Sequence, residues 1–171
     1  MPKVQITSAK GLVQKTGTGI DVQNVISFSN SGNLRRPTAT PADGTALDNE
    51  DSGKFIFLDA SSANTLTLPA VATLSSGWHV RIILKTTGAL GKVVTNSSEN
   101  KIVGQIVSID PDGSHKACTS DADADTISFV NTCKPGSYVD ICTNGTLFYV
   151  HGVGGNTSNV TNLFTLTRAS G

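Results

Sequence analysis

The feature of the sequence that most constrains its fold is a series of short apolar segments with a two-residue period. In 65–70, TLTLPA, Thr alternates with Leu, and in 78–86, WHVRIILKT, Trp78, Val80 and Ile82 fall on one side of an extended chain. Because successive side chains of a β-strand point to opposite faces, this period predicts strands with one buried face. No long segment repeats at 3.6 residues, which argues against a βαβ architecture.

Further strands are predicted at a similar spacing along the chain. They cover 55–59, 92–98, 101–109, 115–119, 126–132, 138–143, 147–153 and 163–167. Asp110-Pro111-Asp112-Gly113 predicts one turn, and Asn144-Gly145 predicts a type I′ hairpin turn, because both residues tolerate positive φ. Strands roughly eight to twelve residues apart, with turn signals between them, are typical of sandwiches and barrels. We therefore expect an all-β fold, an antiparallel β-sandwich or jelly-roll-like domain.

The first part of the chain differs in composition. Residues 1–50 contain one candidate strand, VISFS at 25–29, followed by Gly, Pro, Asn, Ser and Thr with little periodicity. Such a segment buries too little apolar surface to form a core of its own. We expect an extended N-terminal arm over 1–50, which folds over the domain or lies on a partner, and a β-sandwich domain over 51–171.

Arg35 and Arg36 form a paired basic site within this arm. Arginine suits bidentate pairing with carboxylates, so we expect these two residues to contact an acidic surface on a partner protein. The alternative is a solvated pair in a loop.

Overall charge and hydropathy exclude several classes of partner. Thirteen basic and thirteen acidic residues cancel, so the chain lacks the basic excess with which proteins neutralise nucleic-acid phosphates. No apolar run approaches the length of about 20 residues that spans a bilayer. The N-terminal sequence MPKVQITSAKGLVQ has no apolar signal-peptide region, so we expect synthesis in a cytoplasm without export by the usual route.

The three cysteines, Cys118, Cys133 and Cys142, do not form a disulfide framework. An odd number in an unsecreted chain favours free thiols. A Cys133–Cys142 pair is the alternative, and the expected compartment argues against it.

The sequence shows one candidate metal site, an acidic cluster of Asp121, Asp123 and Asp125. A calcium-binding EF-hand loop starts with this spacing but needs Gly at its sixth position and Glu at its twelfth. Thr126 and Thr132 occupy those positions, so we expect a solvated acidic loop, with a weak surface calcium site as the alternative. His79, His115 and His151 lack the spacing of a zinc site and are expected on exposed strand faces.

Motifs for catalysis or for a cofactor are missing from the sequence. It has no nucleophile elbow, no phosphate-binding loop and no dinucleotide-binding fingerprint. We therefore expect a protein that is not an enzyme, binds no cofactor and acts through its surfaces.

Two runs of residues resemble a known family. The first extends from Asp51-Ser52-Gly53-Lys54 through FIFLDA and TLTLPA to SSGWHVRIIL, and the second is KPGSYVDICTNGTLFYVHGVGG. Together they are similar to the head decoration, or cement, proteins of tailed bacteriophages over about residues 50–155. Phe148 stands where the family usually has Trp. The matching residues of the second run are Gly136, Tyr138, Val139, Ile141, Asn144, Gly145, Thr146, Tyr149, Val150 and Gly152.

The resemblance implies a virion structural protein on the capsid surface, made in the host cytoplasm. It further implies a homotrimer that binds the lattice of the major capsid protein and stabilises the head. Similar strand and turn phrases occur in tail fibres, so a tail-fibre or receptor-binding module is one alternative. A carbohydrate-binding module is another, since an exposed aromatic ring can stack on a sugar.

Overall fold

The computed structural model describes residues 37–87, 89–157 and 164–168. Strands make up 51% of the structure, and no helix of seven or more residues occurs in the described part. The expected all-β class is therefore confirmed. In chain order the strands are β1 (Thr38–Ala39), β2 (Phe55–Asp59), β3 (Asn64–Thr67), β4 (His79–Thr86), β5 (Gly91–Val94), β6 (Ile102–Ile109), β7 (His115–Ala124), β8 (Thr126–Phe129), β9 (Tyr138–Thr143), β10 (Phe148–Gly155) and β11 (Phe164–Thr167).

The strands form two sheets. The larger has the order β1-β2-β4-β9-β10-β6-β7, and the smaller has the order β11-β8-β5-β3. Apolar side chains that alternate inward from both sheets build one core, in which Ile56, Ile82, Phe129 and Phe148 are fully buried. This arrangement is the expected sandwich.

Both sheets are mixed, whereas the sequence predicted antiparallel pairing. The pairs β1-β2, β2-β4, β3-β5 and β6-β10 are parallel, and the other described pairs are antiparallel. The chain from β2 to β5 alternates between the two sheets. When the chain leaves one sheet, forms a strand in the other and returns, the two strands in the first sheet run parallel, as β2 and β4 do.

The last part of the expected arm, residues 37–50, packs on the sandwich. Strand β1 pairs with β2, and the Leu47 amide donates to the Thr67 carbonyl at 2.8 Å while its side chain is buried. The chain divides into a unit of residues 1–35 and a unit of residues 36–171. Residues 37–50, which were assigned to the arm, thus pack on the domain. Residues 1–36, including the candidate strand at 25–29, lie outside the described residues.

The predicted hairpin between β9 and β10 is present, but its predicted turn type is wrong. A type I′ turn needs a positive φ at both central residues. Gly145 has φ 88°, but the φ of Asn144 is not positive, because Ser97 is the one described non-glycine residue with a positive φ. The loop instead covers 144–147 and is held by the Asn144 side chain, whose Oδ1 accepts from the amides of Thr146 and Leu147, each at 2.9 Å. A side-chain acceptor replaces the tight backbone turn.

The Asn144 amide generates a testable prediction. Replacing Asn144 with Ala removes the acceptor for two amides and should lower the free energy of unfolding by about 1–2 kcal/mol. Asn144→Asp keeps the acceptor and serves as the control. Urea denaturation measures both variants, and equal stabilities for Ala and Asp would show that the side chain does not hold the loop.

A second prediction concerns two glycines of β10. A Cβ at Gly152 would lie 2.4 Å from the Tyr138 carbonyl oxygen, whereas at Gly155 the nearest atom is Cδ of Lys134, at 3.5 Å. Gly152→Ala should therefore cost about 1–3 kcal/mol through overpacking. Gly155→Ala, on the same strand, should change stability by less than about 0.5 kcal/mol. Thermal unfolding of both variants tests this, and Gly152→Ala should unfold at a clearly lower temperature than Gly155→Ala.

Candidate functional site

The outward face of the larger sheet brings together polar side chains from three adjacent strands. In the β4-β9 pairing His79 lies opposite Cys142 and Arg81 opposite Asp140. In the β9-β10 pairing Tyr149 lies opposite Cys142, and His151 lies opposite Asp140. We call this set the central patch; its members are His79, Arg81, Asp140, Cys142, Tyr149 and His151.

Arg81 is the most constrained side chain of the central patch. Its Nε and Nη2 donate to the two carboxylate oxygens of Asp140, each at 2.6 Å. The guanidinium carbon also lies 4.5 Å from the ring centroid of Tyr138 and 5.8 Å from that of Phe55. The hydrogen bond to Asp140 raises the pKa of Arg81 above its usual value. The side chain is thus a fixed, stacked cation with a known orientation.

A shallow cleft of about 440 Å³ opens over the central patch. All six members of the patch line it, together with the buried residues Val80, Ile141 and Val150. Tyr149 stands at its rim with 43% of its surface exposed, and its hydroxyl oxygen accepts from Nδ2 of Asn144 at 3.2 Å. The cleft offers one aromatic face, one ion pair and two imidazoles to a ligand.

An apolar row lies beside the central patch on the same face. Each of its members is half-buried, and each pairs across strands with the next: Phe57, Ile83, Tyr138, Val153 and Val107. The row crosses β2, β4, β9, β10 and β6, a distance of about 19 Å at the usual strand spacing. We call this set the apolar row.

The outward face of the smaller sheet has a different composition. Threonine is the most frequent residue there, with Lys92 and Val94 at the centre, and the register aligns Thr165 with Ser128 and Thr167 with Thr126. The threonines of this face are Thr65, Thr67, Thr126, Thr165 and Thr167. One outer surface of the sandwich therefore combines aromatic, apolar and charged side chains, and the other carries mainly hydroxyl groups.

The residues predicted as candidate sites are placed as follows. Arg35 and Arg36 lie outside the described residues. His79, His115 and His151 are all exposed on strands, as expected. The structure brings His79 and His151 into one cleft, while His115 lies on β7.

The acidic cluster is not the loop that the sequence predicted. Asp121 and Asp123 belong to β7, with side chains outside the described part. Asp125 is 94% buried. Its backbone carbonyl accepts a hydrogen bond from the Thr95 amide, and its amide donates to the Thr167 carbonyl. In the described part of the chain, no three His, Cys, Asp or Glu residues are grouped as a metal site requires.

The three cysteines are free thiols in distinct environments. Cys133 is buried, and this burial raises its pKa to about 11. Cys142 is exposed in the central patch, and Cys118 is half-buried on β7. The expectation of free thiols thus agrees with the structure.

Sequence reasoning missed the central patch as a unit. The two-residue period correctly placed His79 and Arg81 on the face opposite Val80 and Ile82. It gave no information on which strands are neighbours, because β4 and β9 are far apart in the chain. The available signal was the alternation of outward-facing side chains with buried ones, which occurs in 79–82, 138–142 and 149–152.

No protein-family model, curated protein or solved structure matches the chain. Among the described residues, no helix has the length and apolar character needed to cross a membrane.

The Arg81–Asp140 pair generates a prediction about its modest contribution to stability. The two side chains are 38% and 40% exposed, so water screens the pair, and a double-mutant cycle should give a coupling free energy below about 1 kcal/mol. Arg81→Lys should lose most of that coupling, because an ammonium cannot bind both oxygens in plane. Urea unfolding measures the cycle, with Lys85–Asp59, a single contact of 3.1 Å, as the comparison. A coupling of several kcal/mol would contradict this account.

Proposed function

We propose that this protein is a virion structural protein, a decoration or cement protein that binds the lattice of the major capsid protein and stabilises the head. The observation that carries the proposal is the contrast between the two outer faces of the sandwich. Protein interfaces are enriched in aromatic residues and arginine and depleted in serine and lysine at their centre. The face with the apolar row and the central patch has this composition, and the threonine-rich face does not.

The positions of the residues that carry the family resemblance also support this function. The two runs form β2, β3 and β4 and then β9 and β10, and four of these strands are neighbours at the centre of the larger sheet. The resemblance therefore involves the strands that present the central patch and the apolar row. Most matching residues of the second run are buried or lie in turns, so the resemblance concerns mainly the strands that hold this face, and Tyr138 and Tyr149 are the matching residues on the face itself.

The size of this face favours several copies acting together. Five strands, the longest of eight residues, cover an area on the order of 500 Å². A standard interface buries about 800 Å² on each partner. One copy thus offers a contact below the standard size, and a homotrimer would make three such contacts at once with a large gain in avidity.

The arm supplies a second contact in this proposal. Arg35 and Arg36 are expected to pair with carboxylates of the capsid protein, while the central patch and the apolar row bind its surface. Neither contact requires a cofactor, nucleic acid or membrane. The protein would act on the outer surface of the capsid after synthesis in the host cytoplasm.

A carbohydrate-binding module is the second candidate, and the cleft is the observation that favours it. The exposed Tyr149 ring next to Asp140, His79 and His151 could stack on a sugar and bind its hydroxyls. Only 5% of the residues are aromatic, which is few for an extended platform. Glycan-array binding that depends on Tyr149 would favour this candidate, or a tail-fibre or receptor-binding module that recognises glycans.

The decisive experiment is binding of the purified full chain to expanded phage capsids that lack it. Tyr149→Ala should weaken binding about 10- to 100-fold, as truncation of an aromatic hot spot does. Thr165→Ala, on the threonine-rich face, is the matched control and should bind like the wild type. Arg35→Ala with Arg36→Ala tests the arm separately.

Three outcomes separate the alternatives. Loss of binding for Tyr149→Ala with a normal Thr165→Ala supports the proposed face. Weakening by the arginine variant alone would assign the contact to the arm. Failure of the wild-type chain to bind any such capsid, with binding to a glycan instead, would overturn the decoration function.

A further inference from the structure

Strand β7 is the outermost strand of the larger sheet on the side away from β1. It pairs with β6 without interruption from His115 opposite Ile109 to Asp121 opposite Val103, and a register shift follows. Among the described strands, none pairs with its other edge. An edge of seven regular residues presents unpaired amides and carbonyls, which is a template for another strand.

The exposure of the strand agrees with an accessible edge. His115, Lys116, Ala117 and Thr119 are exposed, and Cys118 is half-buried. The residues at the middle of the strand are small, so a second backbone can approach closely. The Asp110–Gly113 turn, closed by the Gly113 amide and the Asp110 carbonyl at 2.9 Å, bounds the strand at one end.

Symmetry limits how two copies of this strand can pair. In an antiparallel pair, residues that lie opposite each other point to the same face of the sheet. Two identical strands related by a twofold axis must therefore place a residue opposite itself at the axis. The midpoint of 115–121 is Cys118, so the register that pairs all seven residues has Cys118 on the axis.

The same register is favourable for charge. The strand has Lys116 near its start and Asp121 at its end, and its first residue is His115, whose ring N–H can donate to a carboxylate. Pairing about Cys118 places His115 opposite Asp121 of the second copy and Lys116 opposite Ser120. This register sets no like charges opposite each other, whereas a register centred on Lys116 would place two lysines together.

We propose that β7 is a homotypic interface, in which the edge strands of two copies pair antiparallel about a twofold axis with Cys118 opposite Cys118. The partner is a second copy of this chain, and the result is a continuous fourteen-stranded sheet across the two larger sheets. This contact does not depend on the proposed decoration function. It is a twofold contact, and it is therefore distinct from the threefold contact that the proposed homotrimer would make.

Cross-linking of the full chain tests the contact without capsids. In a Cys142→Ser background, oxidation by copper-phenanthroline should yield a disulfide-linked species at twice the monomer mass of 17.7 kDa. Two Cu(II) ions each accept one electron, and the two thiol protons are released to water. Burial raises the pKa of the Cys118 thiol, so random collisions react slowly and a fast link reports held proximity. Adding Cys118→Ser should abolish the link.

Charge variants at His115 give a second measurement that does not require the thiol. Sedimentation equilibrium should show His115→Asp weakening the twofold association by about tenfold, since two acidic pairs form per dimer. His115→Lys should tighten it. Ser76→Asp, at an exposed position outside β7, the central patch and the apolar row, is the control and should leave the association unchanged.

The proposal is overturned if folded Cys142→Ser protein gives no Cys118 link at concentrations where it self-associates. It is equally overturned if His115→Asp and Ser76→Asp behave alike. Either result would show that the edge of β7 is not a contact between copies of this chain, and would leave the capsid-binding proposal untouched.

Discussion

The close approach of β10 to both of its neighbours is the constraint on which the larger sheet depends. Gly104 on β6 has φ 138°, and a Cβ there would lie 2.0 Å from the Val150 carbonyl oxygen. Gly152 allows the same closeness toward β9. Strand β10 thereby joins β1-β2-β4-β9 to β6-β7, and the central patch, the apolar row and the free edge all lie on the sheet that it completes.

Much of the fold could be predicted from the sequence, because a strand with one buried face has a local signature. The ranges 55–59 and 138–143 match β2 and β9 residue for residue, and Trp78 is buried, with its indole N–H donating to the Asp48 carbonyl. Strand order and parallel pairing could not be predicted, since they follow from crossings between the sheets. The turn at Asn144 differs from the predicted type I′ turn because the Asn144 side chain accepts the hydrogen bonds of the loop.

The candidate site was less accessible to sequence reasoning than the fold. Arg81 and Asp140 are 59 residues apart, and neither stands in a recognisable motif. Their pairing, and the stacking of Arg81 on Tyr138, exist only because β4 and β9 are neighbours. The packing of residues 37–50 on the domain could not be located from the sequence, because Leu47 is an isolated apolar residue in a polar segment and one buried side chain produces no periodic pattern.

The central position of β10 also has a consequence for synthesis on the ribosome. Strands β6 and β7 form a local hairpin soon after they emerge, but β6 must wait for β10, which lies about 40 residues further along the chain, before it can join the larger sheet. Until then the nascent chain carries two incomplete sheet fragments with open edges, which are the surfaces that promote misassembly between chains. The larger sheet therefore closes only after β10 has been synthesised, and the order in which strands leave the ribosome differs from the order in which they lie in the sheet.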